Sequence, residues 1–252
     1  MAVDIRVNYL QNDPLGRPFG RDAIMAALDK YKVENAVLVS GFAVTCDFRE
    51  GNKQLWEAIK DDDRLFGCLV VNPNYTSESI ELMRTEMSRR KFVAVALFQG
   101  ASRPYPNVDD YRDILNAYRR FSKPVFVDTP HAAAADAAKQ IAAEFPGVQF
   151  IFGSMGGADW RRALDIGKLL NVHMETSGSF DVEKIEMAVE RLGAHRVLFG
   201  SDLPHSDPAA EIALIRSSSI PESDMRKIFG ENALSLLKLR APAPVEEEPA
   251  EE

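Results

Sequence analysis

Eight short apolar runs recur along this sequence, each followed by a stretch with helical periodicity. No other feature limits the possible folds as strongly. The runs lie at residues 3–8, 35–40, 65–71, 92–98, 124–128, 148–153, 171–176 and 196–200. They are continuous rather than alternating and rich in Val, Ile, Leu and Phe, as parallel strands covered on both faces must be. Helical patterns fall near 20–31, 52–60, 76–90, 109–121, 132–144, 158–169, 181–192 and 208–217, with a further helix at 221–239. Thr76-Ser77 before Glu78, and Asp181 before Glu183, read as helix starts. Lys123-Pro124 and Pro146-Gly147 stand just before strands, where a helix must end. Eight βα units in this length predict an α/β fold, a single-domain (β/α)8 TIM barrel over residues 1–240. A doubly wound open sheet is the alternative. It would carry a phosphate loop after the first strand, and Gly16 and Gly20 are too far from that strand end to form one.

The chain has 252 residues and net charge −8, of which five charges come from the glutamates of residues 241–252, APAPVEEEPAEE, leaving −3 for the rest. That body has no basic stripe, so nucleic acid is not an expected partner. Residues 241–252 contain almost only Pro, Ala and Glu, and are predicted to form a disordered acidic tail. Cys46 and Cys68 match no zinc or redox spacing, which suits a reduced, cytoplasmic setting. The start, MAVDIRVNYL, does not read as a signal peptide, and no run approaches the ~20 apolar residues that span a bilayer. The expected partners are a small-molecule substrate and a second copy or a paralogous subunit.

In a barrel of this kind the last residues of each strand and the loops beyond them line the active-site mouth. Here these are Asp4, Arg6 and Asn8 on strand 1, Ala96 and Phe98 on strand 4, and Asp128 with His131 on strand 5. Ser154 and Met155-Gly156-Gly157 follow strand 6, and Glu175, Thr176 and Ser177 end strand 7. In VLFGSDLPH (197–205), Ser201-Asp202 place a carboxylate where strand 8 ends, Pro204 stops the strand, and His205 and Asp207 follow.

Five segments, KPVFVDTPH, FPGVQFIFGSMGG, NVHMETSGS, VLFGSDLPH and IFGENALSLL, fall in order at the expected strands and the final helix. Together they resemble the amidohydrolase superfamily, specifically the amidohydrolase-related family 2, which includes decarboxylases and lactone hydrolases. The resemblance runs over residues 3–239. It implies a divalent metal held by an HxH pair on strand 1, a His on strand 5, a His on strand 6 and an Asp on strand 8. Carried over by position, the HxH pair becomes Arg6 and Asn8, the strand-5 His becomes Asp128, and the strand-6 His becomes Ser154. Only Asp202 is kept, and Ala96 stands where many relatives have Lys or Arg. A guanidinium does not deprotonate in proteins, so Arg6 puts a fixed positive charge in the metal cavity. The expectation is therefore no cofactor, with the ancestral divalent site lost. A hard cation on Asn8, Asp128 and Asp202 is the alternative.

Candidate catalytic residues are Asp202, Asp128 and His205. The resemblance gives Asp202 a role as general base or acid; the competing reading is a structural carboxylate paired with Arg6. Asp128 near the same arginine would titrate in a coupled way. His205 and His131 can shuttle protons near neutral pH, or simply be solvated or capping. Candidate substrate-binding residues are Arg6, Asn8, His131, Ser154, Glu175 and Arg103, with Tyr105 beside them. Ser154 lacks a nucleophile elbow and fills the space of a lost His. Glu175 can equally bond backbone amides of the neighbouring turn. The function expected from this set is a metal-independent hydrolase of a small carboxylated lactone, ester or related carbonyl compound. The alternatives are a decarboxylase, and a degenerate barrel (a pseudoenzyme) serving as a binding or scaffolding subunit.

Overall fold

All eight apolar runs become strands of one parallel sheet whose spatial order follows the chain. They are β1 (Val3–Tyr9), β2 (Asn35–Ser40), β3 (Leu65–Val71), β4 (Phe92–Leu97), β5 (Val125–Asp128), β6 (Phe150–Gly153), β7 (Val172–Glu175) and β8 (Val197–Leu198). The computed structural model describes residues 1–97, 105–178 and 180–239. The sheet curls until its ends meet. Ile5 N donates to Phe199 O, Asn8 N donates to Leu203 O, and Val7 forms a parallel bridge with Leu203. The result is the (β/α)8 barrel that the alternation predicts.

The helices lie outside the strands: α1 (Arg21–Tyr31), α2 (Gly41–Thr45), α3 (Phe48–Ile59), α4 (Thr76–Glu86), α5 (Val108–Tyr118), α6 (Ala132–Glu144), α7 (Trp160–Ala163), α8 (Val182–Leu192), α9 (Pro208–Ser217), α10 (Glu222–Arg226) and α11 (Asn232–Leu237). Outward strand residues such as Leu38, Leu69, Val95, Val127, Phe152 and Met174 pack in one cluster with Leu28, Leu55, Met83, Ile114, Ile141 and Ile185 of the helices. Inside the barrel Cys68, Val70, Ala94, Ala96, Ile151 and Leu198 form a second cluster of smaller side chains. The small residues suit the taper of a closed barrel. Among the described residues no helix is long and apolar enough to cross a membrane.

Of the boundaries that differ from the sequence reading, three have a plain physical reason. β8 holds two residues rather than five, because Phe199 N turns to Ile228 O and Gly200 N to the Thr176 hydroxyl instead of continuing the ladder. β5 starts after Pro124, which has no N–H to give. The helix expected over 158–169 shrinks to α7. Met155, Gly156 and Gly157 all take left-handed φ angles (42°, 84° and 56°), which breaks helical continuity ahead of α7. A short helix that the pattern did not show, α2, is started by the Ser40 hydroxyl accepting from Ala43 N.

Candidate active site

The register of β1 shifts between Asp4 and Val7; Val3 and Ile5 pack inside the barrel and Val7 packs outside it, so that beyond the shift Arg6 and Asn8 face inward. Arg6 occupies the centre of the mouth, its side chain only 11% exposed. Its Nε lies 3.0 Å from Asp202 Oδ1, and its Nη1 lies 3.1 Å from Asp128 Oδ1 and 3.3 Å from Glu175 Oε2. Nη1 also donates to Ser177 Oγ at 3.1 Å and to Ser154 Oγ. Behind it the Phe126 ring sits 5.8 Å from the guanidinium carbon, two residues before Asp128 and therefore on the same face. Three carboxylates thus share one cation. Their attraction holds the guanidinium charged against a burial that opposes it.

Glu175 is fully buried. It accepts from Ser154 N at 3.0 Å, Ser177 N at 2.6 Å and Ser177 Oγ at 2.9 Å. Burial pushes its carboxyl above the ordinary range in spite of Arg6 and these donors. With no open surface it meets no substrate directly; it fixes Arg6. The left-handed Ser154 (φ 58°) makes this possible by turning its N–H toward Glu175 and its hydroxyl toward Asp128, 2.7 Å away. Gly200 is equally required: a Cβ there would lie 2.3 Å from Glu175 Oε1 and 2.6 Å from its Cγ and Cδ. Gly200→Ala is expected to cost about 2 kcal/mol, as overpacking of a filled site does. A thermal melt indistinguishable from the parent would refute that close packing.

Asp202 and His205 face solvent more. Asp202, itself in a left-handed conformation (φ 60°), accepts from Asn8 Nδ2 at 2.8 Å. Burial would raise its carboxyl, but His205, Arg6 and Asn8 together hold it below the usual range. His205 Nδ1 lies 3.8 Å from Asp202 Oδ1, and that carboxylate raises the imidazole above its ordinary value although partial burial opposes it. Asn8 Nδ2 also lies 3.2 Å from His205 Nδ1. That contact suits a neutral ring protonated on Nε2; on protonation Nδ1 becomes a donor and turns to Asp202. Below the mouth, Asp4 is buried and accepts from Arg6 N (3.1 Å), Ser201 N (3.0 Å) and Ser201 Oγ (2.5 Å). Burial outweighs these donors and moves its carboxyl up to about 7.

The structure therefore gathers Arg6, Asn8, Asp128, Ser154, Glu175, Asp202 and His205 in one connected set. His131 stands apart from the network: its Nδ1 accepts from Ala134 N as the cap of α6, and its ring meets Tyr105 edge-on at 6.2 Å. Arg103 and Phe98 lie outside the described residues. The sequence reading missed Phe126 and Ser177 as Arg6 partners and Ser201 as the Asp4 partner. For Phe126 the two-residue spacing to Asp128 was the available signal.

The model of the amidohydrolase family, "Amidohydrolase", matches residues 9–239. Among curated proteins, a γ-resorcylate decarboxylase of Polaromonas sp. is 35% identical over 69 residues, 27% of this chain and 21% of that protein. The match thus spans about a fifth of that relative's length. Among solved structures, a dihydroxybenzoic acid decarboxylase of Polaromonas sp. JS666, with bound manganese and 2-nitroresorcinol, superposes with a TM-score of 0.74 at 18% identity, covering 95% of this chain and 98% of its own. A 5-carboxyvanillate decarboxylase of Novosphingobium aromaticivorans, also with manganese, gives 0.70 at 16% identity, covering 94% and 95%. A probable 2-pyrone-4,6-dicarboxylic acid hydrolase of Acinetobacter baumannii with citric acid bound gives 0.71 at 16% identity, covering 94% and 99%.

These neighbours overturn the expectation that no cofactor belongs to such a mouth: two of them carry manganese, which points to a divalent metal site in barrels of this type. That expectation rested on the replaced histidines and on the fixed charge of Arg6, and neither decides whether barrels of this type use an ion. The donor set is a separate question. Asp128, Glu175 and Asp202 each turn an oxygen to Arg6 within 3.3 Å, so as arranged these residues do not fit an ion. A cation taking those oxygens would have to displace the guanidinium.

Proposed function

This chain belongs to the amidohydrolase family, and on that premise we propose that its mouth decarboxylates a small phenolic carboxylic acid. The observation that carries the reading is the His205–Asp202 pair, an imidazole held toward its protonated form at the open side of the mouth. Loss of CO2 from an aryl carboxylate needs a proton delivered to the ring carbon bearing that carboxylate. The C–C bond then breaks, its electron pair returns to the ring, and CO2 leaves; one proton is consumed for each CO2 released. In this reading His205 gives that proton, and Asp202 balances the imidazolium charge. Asn8 fixes the Asp202 oxygen, and Arg6 holds Asp128 and Asp202 apart in a set geometry. Arg6, Asn8, Asp128 and Ser154 in this reading replace ligands of metal-binding relatives. The decarboxylase names among the relative and the solved neighbours support the same class.

A second reading, hydrolysis of a pyrone-type lactone with Asp202 as general base, draws on the pyrone hydrolase neighbour. The lowered basicity of Asp202 weighs against it, since a weak base removes a proton from water poorly. The deciding experiment is CO2 release from a panel of 2-hydroxybenzoates, run beside pyrone dicarboxylates, with manganese supplied to every reaction. Turnover of a hydroxybenzoate is the expected result. Hydrolysis of the lactones alone would move the assignment to the second reading, and no turnover of either would leave the decarboxylase reading without support.

The pH profile follows from the same pair. Because Asp202 raises the His205 imidazole, the acid form persists above the ordinary histidine value of about 6.5, and kcat falls only as pH passes the raised value. Asp202→Glu should keep that falling limb. His205→Gln should abolish it. A limb that survives His205→Gln would show that another group supplies the proton.

A further inference from the structure

The face of the barrel opposite the mouth holds a cavity of about 1240 Å³, formed at the N-terminal ends of β2 to β5, the end of α1 and residues 236–239. Its lining is strongly basic for a chain of net charge −8: Lys32, Arg64, Arg90, Lys91, Lys123 and Lys238 stand against Asp29, Glu34 and Asp63. The acids are partly spoken for. Asp29 lies 2.6 Å from Arg64, and Glu34 takes the amino terminus and Ala2 N. Lys123 turns to the carbonyls of Met87 and Phe92, not to a carboxylate. Burial and the nearby Lys238 ammonium hold Lys123 below its ordinary value. Among the described residues Lys32, Arg90 and Lys238 have no ion-pair partner. Asn35 also lines the cavity, only 6% exposed, with its Nδ2 lacking an acceptor.

The chain leaves the last described residue, Leu239, from the wall of this cavity. Seven residues further on begin the glutamates 246, 247, 248, 251 and 252. Seven extended residues reach about 24 Å, enough to return across the cavity. We propose that the glutamate-rich segment 246–252 of this chain docks on the basic floor of its own barrel. Charge complementarity selects the segment, and its covalent attachment supplies a high effective concentration. A solvent-facing pairing of this kind weakens with salt.

Carbodiimide cross-linking of the full chain, mapped by mass spectrometry, tests this directly. Amide links between glutamates 246–252 and Lys32 or Lys91 are expected at low salt, falling about tenfold in 0.5 M NaCl as the charges are screened. Links confined to lysines on other faces, such as Lys53 or Lys139, would overturn the proposal. So would links found only between differently isotope-labelled copies, which would place the segment on a second chain. A second measurement uses a full chain with all five glutamates changed to Gln. Amide hydrogen exchange at residues 87–91 and 121–123 should speed up relative to the parent, and unchanged exchange would refute docking.

Discussion

On the decarboxylase reading, Asp202→Asn is expected to lower kcat by about tenfold at pH 7.5, where a histidine of ordinary value, about 6.5, is only about one-tenth protonated. The substitution is nearly isosteric, and its Oδ1 can still accept from Asn8 Nδ2 and Arg6 Nε, the two contacts now made at 2.8 and 3.0 Å. What disappears is charge. His205 loses the carboxylate that raises it, so at neutral pH the imidazole becomes largely neutral and the proton donor is missing. Steady-state kinetics from pH 5 to 9 checks this: the variant should recover part of its rate toward pH 5, where a histidine of ordinary value is again protonated. A kcat equal to the parent's at every pH from 5 to 9 would remove Asp202 from the proton-donating machinery.

Arg6→Ala is expected to lower Tm by roughly 10 °C at neutral pH. Removing one partner of a buried ion pair costs about 3–5 kcal/mol, and a domain of this size loses about 2–4 °C per kcal/mol. The cause is specific. Asp128, Glu175 and Asp202 lose the one cation they share, while Glu175 stays fully buried. The loss should depend on pH with a definite sign. Glu175 already has a folded-state pKa above its unfolded value, and without Arg6 that elevation grows. A carboxyl raised in this way binds more protons folded than unfolded, so stability falls as pH rises through the window between the two values. The deficit of Arg6→Ala against the parent is therefore smallest near pH 5 and largest near pH 8. Vacating the guanidinium also frees carboxylate oxygens for a hard cation, so manganese should raise the Tm of the variant more than that of the parent. A variant melting within 2 °C of the parent at every pH would show that Arg6 does not organise the mouth.

Much of this architecture is legible in the order of the amino acids. Parallel strands buried on both faces must be continuously apolar, so their number and order can be counted along the chain. Counting to each strand end then places Arg6, Asn8, Asp128, Ser154, Glu175 and Asp202 around one opening, and opposite charge pairs Arg6 with the acids. The end of β8 is not legible, because a carbonyl on Ile228, 29 residues later, takes the Phe199 N–H. The burial of Glu175 depends on the left-handed turn at Ser154 and on the missing side chain of Gly200, neither of which has a periodic signature. His131 resembles His205 in its place after a strand, but one caps a helix and the other meets a carboxylate; local backbone geometry alone separates them. The cofactor expectation failed for another reason. Missing histidines and the fixed charge of Arg6 describe this mouth, and they do not decide whether barrels of this type use an ion.

The ring of strands is joined at its ends by three backbone hydrogen bonds, Ile5 N to Phe199 O, Asn8 N to Leu203 O and Asp202 N to Arg6 O, and by the side chains of Asp4, Arg6 and Asn8, which reach Ser201 and Asp202. Arg6 and Asn8 lie on one side of that junction and Asp202 and His205 on the other. Assembly of the chemistry is thus tied to closure of the ring, the meeting of segments nearly two hundred residues apart. A folding intermediate with seven strands in place would already have most of its secondary structure and still bring no acid to its base. Activity should therefore appear in one late kinetic phase during refolding, after the far-ultraviolet signal of the helices has returned.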